Sequence, residues 1–457
     1  MKRYRQDMLS GPLIPSIISY TVPIILTGLL QLLFNAADLV VVGNKGEIYL
    51  SAVGATNAIT NLIVNLFIGL SVGAGVTMAH AMGSRDQEAI HRTVHTTLPT
   101  AFIGGVVLTV VGVALSETFL RWMETPASVL PYATLYMRIY FGGMVFNMIY
   151  NFGAALLRAA GDTRGPLIYL TIAGAVNVVL NMIFVLVFDM TVDGVALATV
   201  ASQAISAVLV VRALMRRTDA ARLIPRKMRI YKPQLVKIVR LGLPAGIQGS
   251  LFSISNVLIQ SSINSFGDIF MAGNTAAGSI EGFVYVTMNA FHHTALNFTG
   301  QNMGARQYHR VRKILWLCLG AVAIMGFAVG GGIYLLREPL LKLYIVNSEN
   351  ALTAIAAGAE RMLYVCVPYF ILGLMDVTTG VLRGLGSSLT PMVISVLGIC
   401  GFRIAWIYTI FATHHTPGTL FVSYPISWLL TFLCQLVAFI FIFRKCLAAN
   451  RELGNRA

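Results

Sequence analysis

Asp38 is a carboxylate set in the apolar run LFNAADLVVVG. Further on, AGAVNVVLNMIF carries Asn177 and Asn181. They are four residues apart and therefore share one face of a helix. The stretch GVALATVASQ adds Thr199. One carboxylate, two amide oxygens and a hydroxyl form a set that can hold a proton or a hard cation such as Na⁺. The same groups can equally serve as interhelical hydrogen bonds that glue apolar helices together.

Glu281 in SIEGFVYVTMNAF and Asp376 in LGLMDVTTGVLRG are further acids inside apolar runs. An ionisable group at such a position costs a few kcal/mol unless it is paired or faces water, so each is a candidate for function. Glu281 is expected to offer negative charge to a cationic ligand. Asp376 lies within two turns of Arg383, so a role at the helix end competes with a role in binding. Arg138 and Arg403 are most simply buried counter-ions for these two acids and Asp38. His292, His293 and His80 form no HExxH pattern, and no Ser-His-Asp set is suggested, which leaves a membrane-embedded enzyme as a weak alternative. A channel is equally weak, because no repeated filter-like glycine motif occurs. No catalytic residue, metal cluster or cofactor is expected beyond a coupling ion. The five cysteines, Cys318, Cys366, Cys400, Cys434 and Cys446, lie in or beside apolar runs without a CxxC and read as small hydrophobes.

What must position these residues is a set of apolar helices. The chain of 457 residues is 56% hydrophobic and 11% charged, against about 25% charged in soluble domains, and its mean hydropathy is +0.75. These values describe an integral membrane protein. Runs of about 20 apolar residues, the length a bilayer requires, give twelve spans: 14–42, 49–79, 94–116, 131–157, 166–188, 194–215, 241–265, 274–299, 312–336, 358–382, 389–413 and 418–443. The basic start MKRYRQDMLSGPLIP has no small-residue cleavage site after it, so the first apolar run is read as a retained span. Net charge is +15, but the basic residues sit between apolar runs rather than on one solvated face, which argues against nucleic acid.

Charge alternates from loop to loop. Lys2, Arg3 and Arg5, then Arg85 and Arg92, Arg158 and Arg164, Arg306, Arg310, Arg312 and Lys313, Arg383, and the tail residues Arg444, Lys445, Arg451 and Arg456 fall on one side. So does the 212–240 connection, with ten Lys/Arg against Asp219 alone. The opposite loops hold Lys45, Arg121, Arg337 and Lys342, largely balanced by Glu47, Glu117, Glu124, Glu338 and Glu349. Both termini are therefore expected in the cytoplasm.

The chain also repeats itself. GAALLRAAGDTRGP at 153–166 returns as GVLRGLGSSLTP at 380–391, with Leu157, Arg158, Gly161 and Pro166 recurring 225 residues later. Pro23, Met82, Gly83 and Arg85 recur as Pro244, Met303, Gly304 and Arg306, 221 residues later. Two six-helix lobes follow. Six is even, so both enter the membrane in the same sense, and a pseudo-twofold axis along the membrane normal is expected. The expected division is an N-lobe at 1–215, a basic cytoplasmic linker at 216–240, a C-lobe at 241–445 and a tail at 446–457. Gly161 and Gly386 suit the left-handed position after a helix, and Pro166 and Pro391 the start of the next.

These phrases, with the paired AMGSRD and GQNMGAR loops and NAADLVVVG, resemble the multidrug and toxic compound extrusion (MATE) family over roughly 14–445. The resemblance implies two lobes forming a V that export organic, often cationic, compounds against H⁺ or Na⁺ by alternating access. It implies a multi-pass protein of a bacterial or archaeal inner membrane, acting as a monomer on small molecules. The related flippases of lipid-linked oligosaccharides are the alternative. In prokaryotic members a cation site uses an Asp on the first span, an Asn and an Asp four apart on the fifth, and a Thr on the sixth. These map to Asp38, Asn177, Asn181 and Thr199. Asn181 departs from the pattern, which removes a negative charge and puts Na⁺ coupling in question. The acid that some members carry on the tenth span would fall at Leu372, one turn from Asp376. TAAGSIEGF matches a pattern of several bacterial members, implying that Glu281 binds a cation or lines the path of the exported compound.

Overall fold

A computed structural model describes residues 6–345 and 350–454. Lys2, Arg3, Arg5, Glu349 and Arg456, counted in the charge pattern, lie outside the described residues, as does the side chain of Arg451. Among the described residues the regular structure is entirely helical. Long single helices are α1 (Leu13–Gly43), α2 (Glu47–Ser84) and α3 (Gln87–Trp122). They are followed by α4 (Leu130–Gly142), α5 (Met144–Ala159), α6 (Arg164–Asn181) and α7 (Val192–Met215). The second half holds α8 (Lys232–Asn264), α9 (Asp268–Gly304), α10 (Tyr308–Leu335), α11 (Arg337–Tyr344), α12 (Ala351–Val365) and α13 (Tyr369–Gly384). It ends with α14 (Leu389–Ser395), α15 (Phe402–Trp406) and α16 (Pro417–Gly454).

Among the described residues nine helices, counting those continued by π turns, are long and apolar enough to span a bilayer. The bent pairs α4–α5 (48°) and α12–α13 (44°) bring the number to eleven. The 37-residue α9 completes the twelve-helix, two-lobe layout, its apolar face interrupted by Asn274, Glu281, His292, His293, Asn297 and Asn302. The breaks have local causes. Gly142 and Gly143 meet at the first, and Phe141, whose carbonyl the kink frees, accepts a hydrogen bond from Thr109 Oγ1 at 2.8 Å. Pro368, which has no N–H, sits at the second. Large apolar side chains such as Val110, Ile324, Leu186 and Phe327 lie on the outside. Hydrocarbon outside makes that stable, and the helices associate by close packing rather than by expelling water.

Contacts divide the chain into two compact units: Met1–Asp7 with Val22–Ser250, and Met8–Thr21 with Leu251–Ala457. The division therefore falls inside α1 and α8, whereas span counting places it in the 216–240 linker. In the first unit, Phe141, Met137, Met144, Met148 and Phe152 form the centre of the core. The α2 and α8 backbones touch there: a Cβ on Gly69 would lie 2.1 Å from the Gly246 nitrogen, and one on Gly73 2.2 Å from the Ile238 oxygen. The linker is tied down to α3, with the Ile224 N–H donating to His95 Nε2 (3.1 Å) and the Tyr231 N–H to Thr96 Oγ1 (3.1 Å). In the second unit, Asn302 Nδ2 donates to the Met8 carbonyl at 2.9 Å and Thr21 shares a hydroxyl contact of 2.8 Å with Thr294.

The repeat is visible in the backbone. Gly161 and Gly386 take φ of 90° and 92° after their helices, as expected. Arg85 and Arg306 both take φ 56°, and Gly46 and Gly267, also 221 apart, are both left-handed.

Candidate functional site

The structure brings Asp38, Asn177, Asn181 and Thr199 together within the first unit, from α1, α6 and α7. Asn181 Nδ2 donates to Asp38 Oδ1 and, at 3.3 Å, to Asn177 Oδ1, which uses both of its hydrogens. Thr199 Oγ1 lies 3.3 Å from Asp38 Oδ2 and 2.9 Å from the Val195 carbonyl. Its single proton serves one of these at a time, and the shorter contact is to the backbone. Asp38 Oδ2 thus keeps acceptor capacity, Thr199 keeps its lone pairs, and Asn181 Oδ1 is a buried acceptor with no partner among the described residues. Three oxygens of this kind, only one of them charged, are suited to a proton or a monovalent hard cation.

Directly after Asn181 the helix widens into a π turn, Met182–Val187, a feature that recurs at functional sites. Asn177 and Asn181 are buried, whereas Asp38 is partly exposed. It opens on a cavity of about 100 Å³ that Gln31, Asn35, Asn147, Asn151, Tyr150 and Gln203 also line. Such a space holds several waters. The polar wall is made of amides and hydroxyls, with Asp38 as its carboxylate.

Asp189 and Asp193 are not part of this set. Asp189 pairs with Lys45 in the loops, and that ammonium holds its carboxyl below the usual range. Asp193 accepts from the Thr191 N–H at 2.9 Å.

Glu281 lies in the second unit and is already occupied. Arg361 Nη2 and Nε donate to its Oε2 at 2.6 and 3.2 Å, and the Tyr369 hydroxyl to its Oε1 at 3.3 Å. Arg361 Nη1 also reaches Asn274 Oδ1 at 2.6 Å. Sequence reasoning missed Arg361, although it lies within the span at 358–382; a buried Glu281 needs a partner, and that need was the available signal.

The counter-ion roles expected of Arg138 and Arg403 are not what the structure shows. Arg138 is exposed and 3.6 Å from Glu117 on α3. Arg403 is buried against aromatic rings, with no carboxylate at ion-pair distance among the described residues. Asp376 is on α13 near Arg383; His292 Nδ1–H donates to its backbone carbonyl at 2.8 Å while His292 Nε2 accepts from Arg383 Nη1 at 3.4 Å. Leu372, the alternative position on that helix, is buried.

A family model described as MatE matches residues 23–183 and again 244–409, one match to each half of the repeat. The probable multidrug resistance protein YpnP of Bacillus subtilis (strain 168) is 27% identical over 404 residues, covering 88% of this chain and 89% of that protein. The probable multidrug resistance protein YoeA of the same organism is 26% identical over 439 residues, 93% of each. Among solved structures, a MATE protein in complex with MaL6 superposes with a TM-score of 0.89 at 22% identity, covering 99% of this chain and 100% of that one.

Proposed function

The chain belongs to the MatE family, a family of multidrug efflux transporters, and from that premise we propose that it exports small organic compounds across a cytoplasmic membrane in exchange for H⁺ or Na⁺. The observation that carries the coupling is the Asp38 carboxylate, which faces a hydrated-sized cavity within reach of Asn181 and Thr199. A proton arriving from outside protonates Asp38, or Na⁺ settles among Asp38, Asn181 Oδ1 and Thr199 Oγ1. Either event cancels the one charge of the cavity and changes which groups donate: protonated Asp38 offers an O–H where the carboxylate only accepts.

Exchange follows if the ion and the compound favour different conformations, and the coupling must then be reciprocal. Glu281 is committed to Arg361, so an organic cation would find its available charge at Asp38 and would compete there with the coupling ion.

The test is dye efflux in inverted vesicles with H⁺ and Na⁺ gradients imposed separately. Wild-type protein should need one of the two, and Asp38→Asn should insert at the same level yet lose gradient-driven export. A neutral amide costs less in the bilayer than a charge, so insertion is preserved. Wild-type rates in Asp38→Asn vesicles would remove the coupling site from this position.

A further inference from the structure

We propose that Arg403 is the centre of an anion-binding site in the second unit, one that takes the carboxylate or phosphate of an organic compound or a small inorganic anion. Arg403 is 4% exposed. Its guanidinium lies over the Tyr424 ring at 4.0 Å and 5.8 Å from the centroid of Trp428. Nε donates to Ser427 Oγ at 3.1 Å, but Nη2 is buried with no hydrogen-bond partner among the described residues. A guanidinium cannot shed its charge. A buried charge is therefore expected to be paired, and cation–π contacts satisfy its electrostatics only in part without accepting its N–H groups.

The neighbouring acid does not supply the pair. Glu281 takes two bonds from Arg361 and one from Tyr369, and Arg361 itself lies 6.0 Å from the Tyr424 centroid on the same aromatic cluster. With two guanidiniums and one carboxylate, the cluster carries one positive charge in excess. An anion at Arg403 Nη2 removes that excess and satisfies the orphaned donor.

Two independent features point the same way. Arg403 stands on α15, a five-residue α segment flanked by the π turns Val396–Gly401 and Ile407–Phe411. In the first unit, Asn181 adjoins a π turn on the repeat-related helix. Under the 225-residue shift, 403 corresponds to 178, next to Asn177. The repeat thus places the two amides of the Asp38 site on one copy of this helix and a guanidinium on the other. The rings of Tyr424 and Trp428 suit the apolar body of an aromatic acid stacked beside the charge.

The inference rests on the exporter reading only for how a ligand reaches the site, and binding is measured without any gradient, so the two fail separately. Purified full-length protein is titrated with sodium benzoate, with benzamide as the neutral isostere, and with sodium bromide, while tryptophan emission is recorded. Wild type should show a saturable change with benzoate that benzamide does not give, and Trp428→Phe should lose it. Arg403→Gln should bind benzoate at least about tenfold more weakly, the scale of one charge-assisted hydrogen bond. Arg403→Lys should lie between. Tetraphenylphosphonium binding should stay unchanged in Arg403→Gln. Bromide that competes with benzoate assigns the site to small inorganic anions; bromide without effect assigns it to the acid group of an organic compound. An equal response to benzamide, no response to either anion, or parallel loss of tetraphenylphosphonium binding overturns the proposal. If Arg403→Gln does not fold, the wild-type melting temperature decides: benzoate must raise it and benzamide must not.

Discussion

An amide at position 181 gives Asp38 a hydrogen-bond donor where a second carboxylate would give it a like charge, and this is the residue-scale difference with the clearest consequence. With one carboxylate and two free neutral oxygens, a proton neutralises the site fully, whereas Na⁺ gains less than it would between two acids. Asn181→Asp should therefore raise the Na⁺ dependence of export, read as uptake into inverted vesicles at fixed pH; unchanged Na⁺ dependence with intact protein would sink this account. A second prediction concerns Glu281. Its side chain and that of Arg361 are 14% and 12% exposed, so removing one partner leaves the other buried and uncompensated. Glu281→Gln should destabilise by about 3 kcal/mol, and the double variant with Arg361→Gln should recover much of that loss. Melting midpoints in detergent across the four proteins give the coupling; additive losses would mean the pair is not an energetic unit. The four residues of the first site could be named in advance because Asn177 and Asn181 lie one helical turn apart and the family pattern points to Asp38 and Thr199. Arg361 is harder to name, because it is 80 residues from Glu281 and the need of a buried acid for a partner does not say where in the chain that partner lies.

At the scale of elements, apolar run lengths located every span, but they said little about how each helix is broken. The Gly142–Gly143 pair and Pro368 are visible punctuation, so the bends at α4–α5 and α12–α13 have a readable cause. The π turns after Asn181 and on both sides of Arg403 have no such signal; they depend on which carbonyls neighbouring helices can satisfy. The close approach of α2 and α8 is intermediate: Gly69 and Gly73, and Gly242 and Gly246, are spaced as small-xxx-small pairs, yet only the folded contact shows that they face each other. The backbone atoms met at 2.1 and 2.2 Å cannot rotate away as a side chain can. Gly69→Ala should thus force α2 and α8 apart and lower the melting temperature markedly. Gly54→Ala, on the same helix with nothing within 4 Å among the described residues, should be neutral or stabilising by up to about 1 kcal/mol through helix propensity. Equal melting temperatures for the two variants would contradict the packing assigned to the α2–α8 contact.

For the whole molecule, the repeat sets both symmetry and topology. The matched left-handed residues at 46 and 267, 85 and 306, and 161 and 386 show that the two halves turn their chains at the same places. Six spans per half return the chain to its starting side, so equivalent loops of the two halves must face the same compartment. The turn after α2 and the start of α3 carry Arg85 and Arg92, the equivalent turn after α9 and the start of α10 carry Arg306, Arg310, Arg312 and Lys313, and the connection between halves carries ten Lys/Arg over 212–240. Moving these basic loops across an energised membrane is disfavoured, so the cytoplasm is the side expected for them. The connection is also anchored to α3 through His95 and Thr96, so it shares the side of the α2–α3 loop. Cysteines introduced singly at 86–92, 218–230 and 306–312 should react with a membrane-impermeant maleimide in inverted vesicles and stay unlabelled in intact cells. The three segments are linked by an even count of spans, so they must move as a set. Labelling of 218–230 from outside would reverse the orientation of the entire chain, and labelling of only one segment would break the twelve-span count itself.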